Sequence, residues 1–303
     1  MTDVMLMQPF NLSENLRENV SLAEYTSWKV GGVARWLAEP RADEVPALLT
    51  QAYNHGIPVY FLGRGSNVLI RDSGLNGLVI VTRNSMSGLR RDGDQIVARS
   101  GVFLPHLSHF AARQGYSGFE FLVGIPGTVG GAIAMNAGLT VFRPREIVSI
   151  VDRFDVVNLD GRVETLTMND IRVGYRKTDL LDGKRLILQA RFRLEDVGNP
   201  EEIRQSTLEH LAERKRKQPL DQPTAGSTFK SPPGSKGAGW YIDQAGLKGF
   251  QMGGARVSPM HANWIENVGG AMASDIHQLI EYIQQTVEAR MGITLEPEVQ
   301  YLP

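Results

Sequence analysis

The chain has no cysteine among its 303 residues. That absence excludes disulfides, thiolate metal sites, iron–sulfur clusters, cysteine nucleophiles and any cysteinyl link to a cofactor. An excess of one charge is also missing, since Lys+Arg 32 against Asp+Glu 33 leaves a formal net charge of -1. No global field recruits nucleic acid or an acidic membrane. Long apolar runs are scarce. Phe121–Phe142 is uncharged and nominally long enough to span a bilayer, but it carries five glycines, Pro126 and Asn136. A glycine-rich binding loop explains that composition better than a membrane helix. Met1–Phe10 has no basic stretch ahead of an apolar one, so no secretory signal is expected and the cytoplasm is the default location. The six histidines are scattered, and His106 and His109 have no carboxylate at metal spacing, so no metal is expected.

What is present in excess is glycine, 32 residues, above the usual ~7%. Apolar residues at 42% and charged residues at 21% fit a globular protein. The length suggests about two or three domains. Residues 1–18 read as a loose tail. Arg35–Ala38 (strand), Asp43–Asn54 (helix) and Ile57–Leu62 (strand) form a βαβ-like unit. Val68–Arg71 and Leu78–Thr82 are strand candidates, and Arg83–Arg91 reads as a boundary. Leu104–Gln114 is predicted helical, and 124–138 is a glycine-rich loop. Ile147–Val157, Val163–Thr167 and Leu186–Leu194 read as strands, which gives this region an α+β character. Glu195–Glu202 marks a second boundary. Beyond it come a charged helix at Glu201–Arg216, a long Pro/Gly/Ser loop at Pro219–Gly239 and a helix at Ser274–Arg290 with Ser274 as its cap. A strand at Leu295–Tyr301 closes the chain.

Two glycine segments carry the first chemical signal. Gly63-Arg64-Gly65-Ser66-Asn67 and Gly124-Ile125-Pro126-Gly127-Thr128-Val129-Gly130-Gly131 expose successive backbone N–H groups, which suit a pyrophosphate. The first feeds a strand, whereas a dinucleotide fingerprint or P-loop feeds a helix, so it belongs to neither. Alone, each segment reads more readily as a tight turn. Together, with Ser66, Asn67 and Asn136 as extra donors, they point towards a dinucleotide cofactor. Arg176, in Gly174-Tyr175-Arg176-Lys177, offers a fork for a carboxylate or phosphate, or is a plain surface arginine. Arg214-Lys215-Arg216-Lys217 is a helix end favoured by the macrodipole or a phosphate clamp. Ser227-Thr228-Phe229-Lys230 spells the S-x-x-K of acyl-serine enzymes, but the K-T-G and S-D-N companions are absent. A covalent serine hydrolase is not expected. A serine in a polar loop, placed to give a proton, remains. Glu296 and Glu298 flank Pro297 and read equally as a solvated acidic strand.

In order along the chain, six segments resemble the UDP-N-acetylenolpyruvoylglucosamine reductase family. They are Thr26-Ser27-Trp28-Lys29-Val30-Gly31-Gly32, Leu62–Asn67, Gly124–Ala132 through Asn136-Ala137-Gly138, Gly174-Tyr175-Arg176, Ala225–Lys230 and Leu295–Val299. The resemblance covers about residues 19–303. It implies an α+β fold: a two-part FAD-binding domain of the vanillyl-alcohol-oxidase (PCMH) type plus a smaller α+β substrate-binding domain. The division that follows is a tail at 1–18, a first FAD part at 19–83 joined by the terminal strand 295–303, a second FAD part at 84–196, and a substrate domain at 197–294.

The family reduces an enolpyruvyl ether on a UDP-sugar (UDP-N-acetylglucosamine-enolpyruvate), using NADPH and non-covalently bound FAD. Negative charge then develops beside the substrate carboxylate and needs preorganised partners. The resemblance assigns catalysis to Arg176, Ser227 as proton donor, and Glu298. It assigns FAD to Gly63, Arg64, Gly65, Ser66, Asn67, Gly124, Ile125, Pro126, Gly127, Thr128, Gly130, Gly131, Asn136 and Ala137. Substrate falls to Tyr175, Lys217, facing the diphosphate, and Asn263. A monomer is the expected state. Two departures stand out: Ser231 where the family often has a substrate-contacting asparagine, and Leu139-Thr140 in place of Tyr-Gly. Leu186–Leu194 follows Arg176 too soon for the inserted loop that one subclass carries. The alternatives are a non-catalytic flavin-binding module and an oxygen-using flavin oxidase of the same fold.

Overall fold

The computed structural model describes residues 16–139, 145–194, 196–219, 221–234 and 236–303. Its helices are α1 (Val45–Asn54), α2 (Leu104–Arg113), α3 (Val129–Met135), α4 (Pro200–Lys217), α5 (Ala238–Gln244) and α6 (Ala273–Met291). None of the described helices is long and apolar enough to cross a membrane.

Three sheets organise the molecule. The first runs Leu16–Ser21, Val33–Ala38, Leu75–Val81, Val59–Leu62, with its last two pairings parallel. The predicted βαβ unit is here, because Val45, Leu48, Leu49 and Ala52 give α1 one buried face. That face packs on Trp36, Leu78 and Ile80 and also on Val157, Leu186 and Leu188 of the second sheet, so one helix joins two sheets. The second sheet is antiparallel, in the order Val163–Thr167, Val151–Asn158, Arg185–Arg193, Gln95–Arg99, Leu89–Asp92. Phe119, Phe154 and Phe192 are fully buried against it together with α2 and α3. The third, Thr224–Ser227, Trp264–Asn267, Ala255–Val257, Gln251–Met252, packs on α5 and α6.

Distant segments cross between these units. Trp28 is buried in the third unit, where its indole Nε1 donates to the Ile265 carbonyl at 2.8 Å and its own carbonyl accepts from Asn267 Nδ2 at 2.8 Å. Strand Gln300–Leu302 lies parallel beside Val68–Ile70. Asp72 caps α6, accepting from the N–H groups of Ala273 at 2.8 Å and Ser274 at 3.0 Å.

The last contact corrects the expected cap. The helix starts one residue early, so Ser274 sits in its first turn and needs an acceptor rather than supplying one. Burial raises the Asp72 pKa, but the Ser274 hydroxyl and two backbone N–H groups outweigh it and hold the carboxyl below its ordinary value. Asp72→Ala is expected to cost about 1 kcal/mol in denaturant unfolding at neutral pH. Because the folded pKa is depressed, that difference is fully present above the ordinary carboxylate pKa and fades as pH falls through the folded value.

Other corrections have local causes. Residues 16–18 belong to a strand rather than a tail. The boundary at Arg83–Arg91 runs into Leu89–Asp92, which forms a hairpin with Gln95–Arg99 around Gly93, at φ +61°. Within 124–138 lies α3: Thr128 accepts from Gly131 N, and Asn136 ends the helix in the left-handed region at φ +45°. Two glycines in its first turn hide the helix from propensity, yet Val129, Ala132 and Ile133 are buried. Ile147–Ser149 is a 3-10 turn, and the strand runs Val151–Asn158. Within Pro219–Gly239, Thr224–Ser227 is a strand, so the S-x-x-K residues do not open a helix. The closing strand is shorter than expected, Gln300–Leu302. Thr140 lies outside the described residues.

Candidate active site

A cavity of about 780 Å³ opens among the three units, and segments far apart in sequence line it. Gly63–Asn67 turns directly off strand Val59–Leu62 to form one wall. Gly65 holds φ +61°, and a Cβ there would lie 2.1 Å from the Tyr25 carbonyl oxygen, so no side chain fits. The Thr26–Gly32 segment supports this turn from behind: Ser27 N donates to the Gly65 carbonyl at 3.0 Å. Thr26 Oγ1 closes its own turn onto the Val30 carbonyl at 2.7 Å. Ile125, Pro126, Gly127, Thr128, Gly130, Gly131 and Ala137 form the facing wall. A Cβ on Gly127 would meet Ser66 Oγ at 3.6 Å, so the two glycine segments confront each other.

Arg176, Ser227 and Glu298 reach the same cavity. Arg176 occupies the left-handed region at φ +55°, uncommon for a non-glycine residue and often found where a side chain must be aimed. Its Nη2 donates to the Gly138 carbonyl at 2.7 Å, and its Nε lies 3.3 Å from Glu298 Oε1. Both side chains are largely buried. Burial pushes the Glu298 carboxyl above its ordinary pKa, while Arg176 and Lys230 pull the other way with less effect. Glu296 instead faces outward, 69% exposed, and pairs with Lys230. The ambiguity between the two glutamates is thereby resolved geometrically: only Glu298 lines the cavity.

Ser227 ends strand Thr224–Ser227, and two other chain segments fix the loop after it. Glu298 N donates to the Thr228 carbonyl at 2.8 Å, and Thr228 N donates to the Asn263 carbonyl at 2.8 Å. The Asn263 side chain closes the arrangement, with Phe229 N donating to Oδ1 at 3.0 Å and Nδ2 donating to the Phe229 carbonyl at 2.8 Å. Asn263 thus lines the cavity, where substrate contact was expected of it, and its amide holds the Ser227 loop. Asn67 behaves similarly, since its Nδ2 donates to the Glu298 carbonyl at 3.1 Å.

Three predicted positions lie off the cavity wall. Gly124 packs behind it, where a Cβ would stand 2.3 Å from Arg214 Cδ. Asn136 is buried and its Nδ2 bridges Glu146 Oε2 at 2.8 Å and the Gly174 carbonyl at 3.1 Å, so it steadies the turn carrying Arg176. Lys217 is 57% exposed and pairs with Glu213 on its own helix. Arg214, one turn earlier, is the member of the basic run that reaches the cavity. Arg214 lines the cavity, its buried Nε has no hydrogen-bond partner, and burial together with Arg176 pushes its pKa down to about 10. Gln218 also lines it with a buried, unpartnered Oε1. The buried face of α4, Ile203 and Thr207, continues at helical spacing to Arg214, and that period was the available signal. Tyr175 and Ser231 line the cavity, as do Trp240 and Met260, both exposed on its rim and unmarked by any motif. Among the described residues, no group of three or more acidic, histidine or cysteine side chains could hold a metal ion.

Residues 218–302 match the C-terminal domain of UDP-N-acetylenolpyruvoylglucosamine reductase, and residues 38–167 match the FAD binding domain family. The α+β architecture is thus that of a PCMH-type FAD-binding fold. Curated proteins named UDP-N-acetylenolpyruvoylglucosamine reductase are similar along nearly the whole chain. The Trichormus variabilis protein is 42% identical over 95% of this chain and 86% of its own, and a Synechococcus protein is 42% identical over 95% and 93%. The crystal structure of the Thermus caldophilus reductase superposes with a TM-score of 0.79 at 35% identity, covering 95% of this chain and 100% of that one. Similarity of this extent, in sequence and in fold, settles the family: the chain belongs to the UDP-N-acetylenolpyruvoylglucosamine reductase family.

Proposed function

We propose that the protein reduces the enolpyruvyl double bond of UDP-N-acetylglucosamine-enolpyruvate, with FAD as bound cofactor and NADPH as reductant, to give UDP-N-acetylmuramate. One observation carries this reading: Arg176, Ser227 and Glu298, from three remote segments, meet both glycine loops at one cavity. Its volume, about 780 Å³, falls in the range of small-molecule sites. The residues fit the cofactor. Gly63, Gly65, Gly127, Gly130 and Gly131 present backbone without side chains, as a pyrophosphate requires. Bound FAD supplies the hydride that reaches the alkene. The protein supplies the rest. The Arg176 fork holds the carboxylate next to the carbon where negative charge develops, with Arg214 adding a second positive charge nearby. Glu298, with its raised pKa, remains protonated to higher pH than an ordinary glutamate and so tolerates that charge. Ser227 delivers the proton to the carbon. Residues 19–83 with the terminal strand, and 84–196, form the cofactor half in this reading, and 197–294 carry the UDP-sugar.

A steady-state assay tests the whole proposal. NADPH consumption is expected to match alkene reduction one for one in the absence of oxygen. NADPH consumption that depends on oxygen and yields hydrogen peroxide would instead make the protein an oxidase. A further expectation concerns how the cofactor is held. With no cysteine available, acid precipitation is expected to release all flavin into the supernatant. Yellow colour retained in the pellet would contradict it.

A further inference from the structure

A second cavity, of about 630 Å³, lies beside the first, and Arg64 borders both. Its ionisable lining among the described residues is all basic: Arg64, Arg83, Arg113, His106 and His109 face it beside neutral groups such as Asn84, Ser87 and Phe103, and no aspartate or glutamate does. Among the described residues, none of the three arginines has a carboxylate partner; aromatic faces and a carbonyl hold two of them instead. The Arg64 guanidinium lies 4.5 Å from the Phe103 ring centre, and that of Arg83 lies 4.5 Å from the Tyr25 ring centre. Arg83 Nη1 also donates to the Glu24 carbonyl at 3.2 Å. These contacts fix the forks in place without neutralising them.

Gathering like charges around a concave surface concentrates a positive potential within it. The groups register that cost. Burial, with Arg83 adding to it, lowers the Arg64 pKa, and burial with Arg113 and His106 lowers that of His109. An anion entering the cavity would relieve the repulsion and satisfy several donors at once. Planar guanidinium forks pair bidentately with carboxylates and phosphates, and a phosphate group brings three acceptor oxygens and close to two charges to several such donors at once. A nucleic acid fits poorly, because the charges enclose a cavity instead of forming a stripe, and the net charge is -1.

We propose that this second cavity is a binding site for a phosphate group, free or carried as the monoester of a small metabolite, separate from the ligands of the first cavity. Isothermal titration of the flavin-loaded protein at constant ionic strength tests it, with inorganic phosphate in one arm and ribose 5-phosphate in the other. Saturable binding is expected in at least one arm, and the tighter of the two identifies the source. Arg113→Gln, on the exposed last turn of α2, and Arg83→Gln are each expected to weaken that binding about tenfold while flavin content stays unchanged. Binding that does not saturate, or that both variants retain at full strength, overturns the proposal. So does an absence of binding to the flavin-loaded protein, which would mean that the cofactor fills the cavity.

Discussion

Ser227→Ala is expected to leave NADPH-driven bleaching of the flavin at its normal rate and to slow substrate-driven reoxidation by about 10²–10⁴-fold. That is the contribution of a positioned general acid. The two halves separate because the hydroxyl is needed only when the carbon beside the carboxylate takes its proton. The substitution is clean. The backbone of Ser227 pairs with Trp264, and the loop after it is held through Thr228, Phe229 and Asn263, none of which uses the hydroxyl. Anaerobic stopped-flow traces decide the matter. Equal slowing of both halves would make Ser227 a structural residue, and no slowing would pass the proton to another group, with Glu298 the nearest candidate by chemistry.

Arg176→Lys carries the second large effect. The arginine already directs Nη2 to the Gly138 carbonyl and Nε towards Glu298, leaving the rest of a planar fork for a carboxylate. A lysine keeps the charge but cannot meet three partners in one plane. Lysine and arginine also suffer alike at φ +55°, so backbone strain does not distinguish them. Removal of one such donor costs about 10²-fold in kcat. Flavin content is expected to stay near normal and alkene reduction to fall by that factor. Full turnover in the variant would remove Arg176 from catalysis.

How much of this could be read from sequence depended on whether a residue's job left a local trace. The stripe of Ile276, Leu279, Ile280, Ile283 and Val287 announced α6, because burial on one helical face has a period. The glycine segments were visible because glycine clusters in them, and at Gly65, with φ +61°, only glycine fits. The cap of α6 was not, since its acceptor, Asp72, comes from another part of the chain. Arg214 was hidden inside a basic run whose four members look alike until the helix phase is fixed. The backbone contacts of Asn263 left no trace for a related reason: an amide that binds a backbone and one that binds a ligand are spelled the same way. The choice of Glu298 over Glu296 rested on the family pattern, because regular strand alternation would send residues two apart to the same face. They part because the chain there is not a regular strand, Pro297 forming only an isolated bridge with Phe229 ahead of Gln300–Leu302.

The pairing of Gln300–Leu302 with Val68–Ile70 also bears on the order in which the molecule can be completed. A ribosome adding about 5–20 residues per second places the later strand on the order of 10–50 s after the earlier one. Trp28 waits in the same way for Ile265, and Asp72 for the first turn of α6. During that interval Val68–Ile70 has an unpaired edge, the kind of surface that invites a wrong partner. Glu298 arrives with the last strand, so the cavity gains its acid only after both glycine loops already exist. Vectorial synthesis therefore yields the cradle first and the chemistry last, and the nascent protein passes through a stage at which it has somewhere to hold a ligand and no means of transforming it.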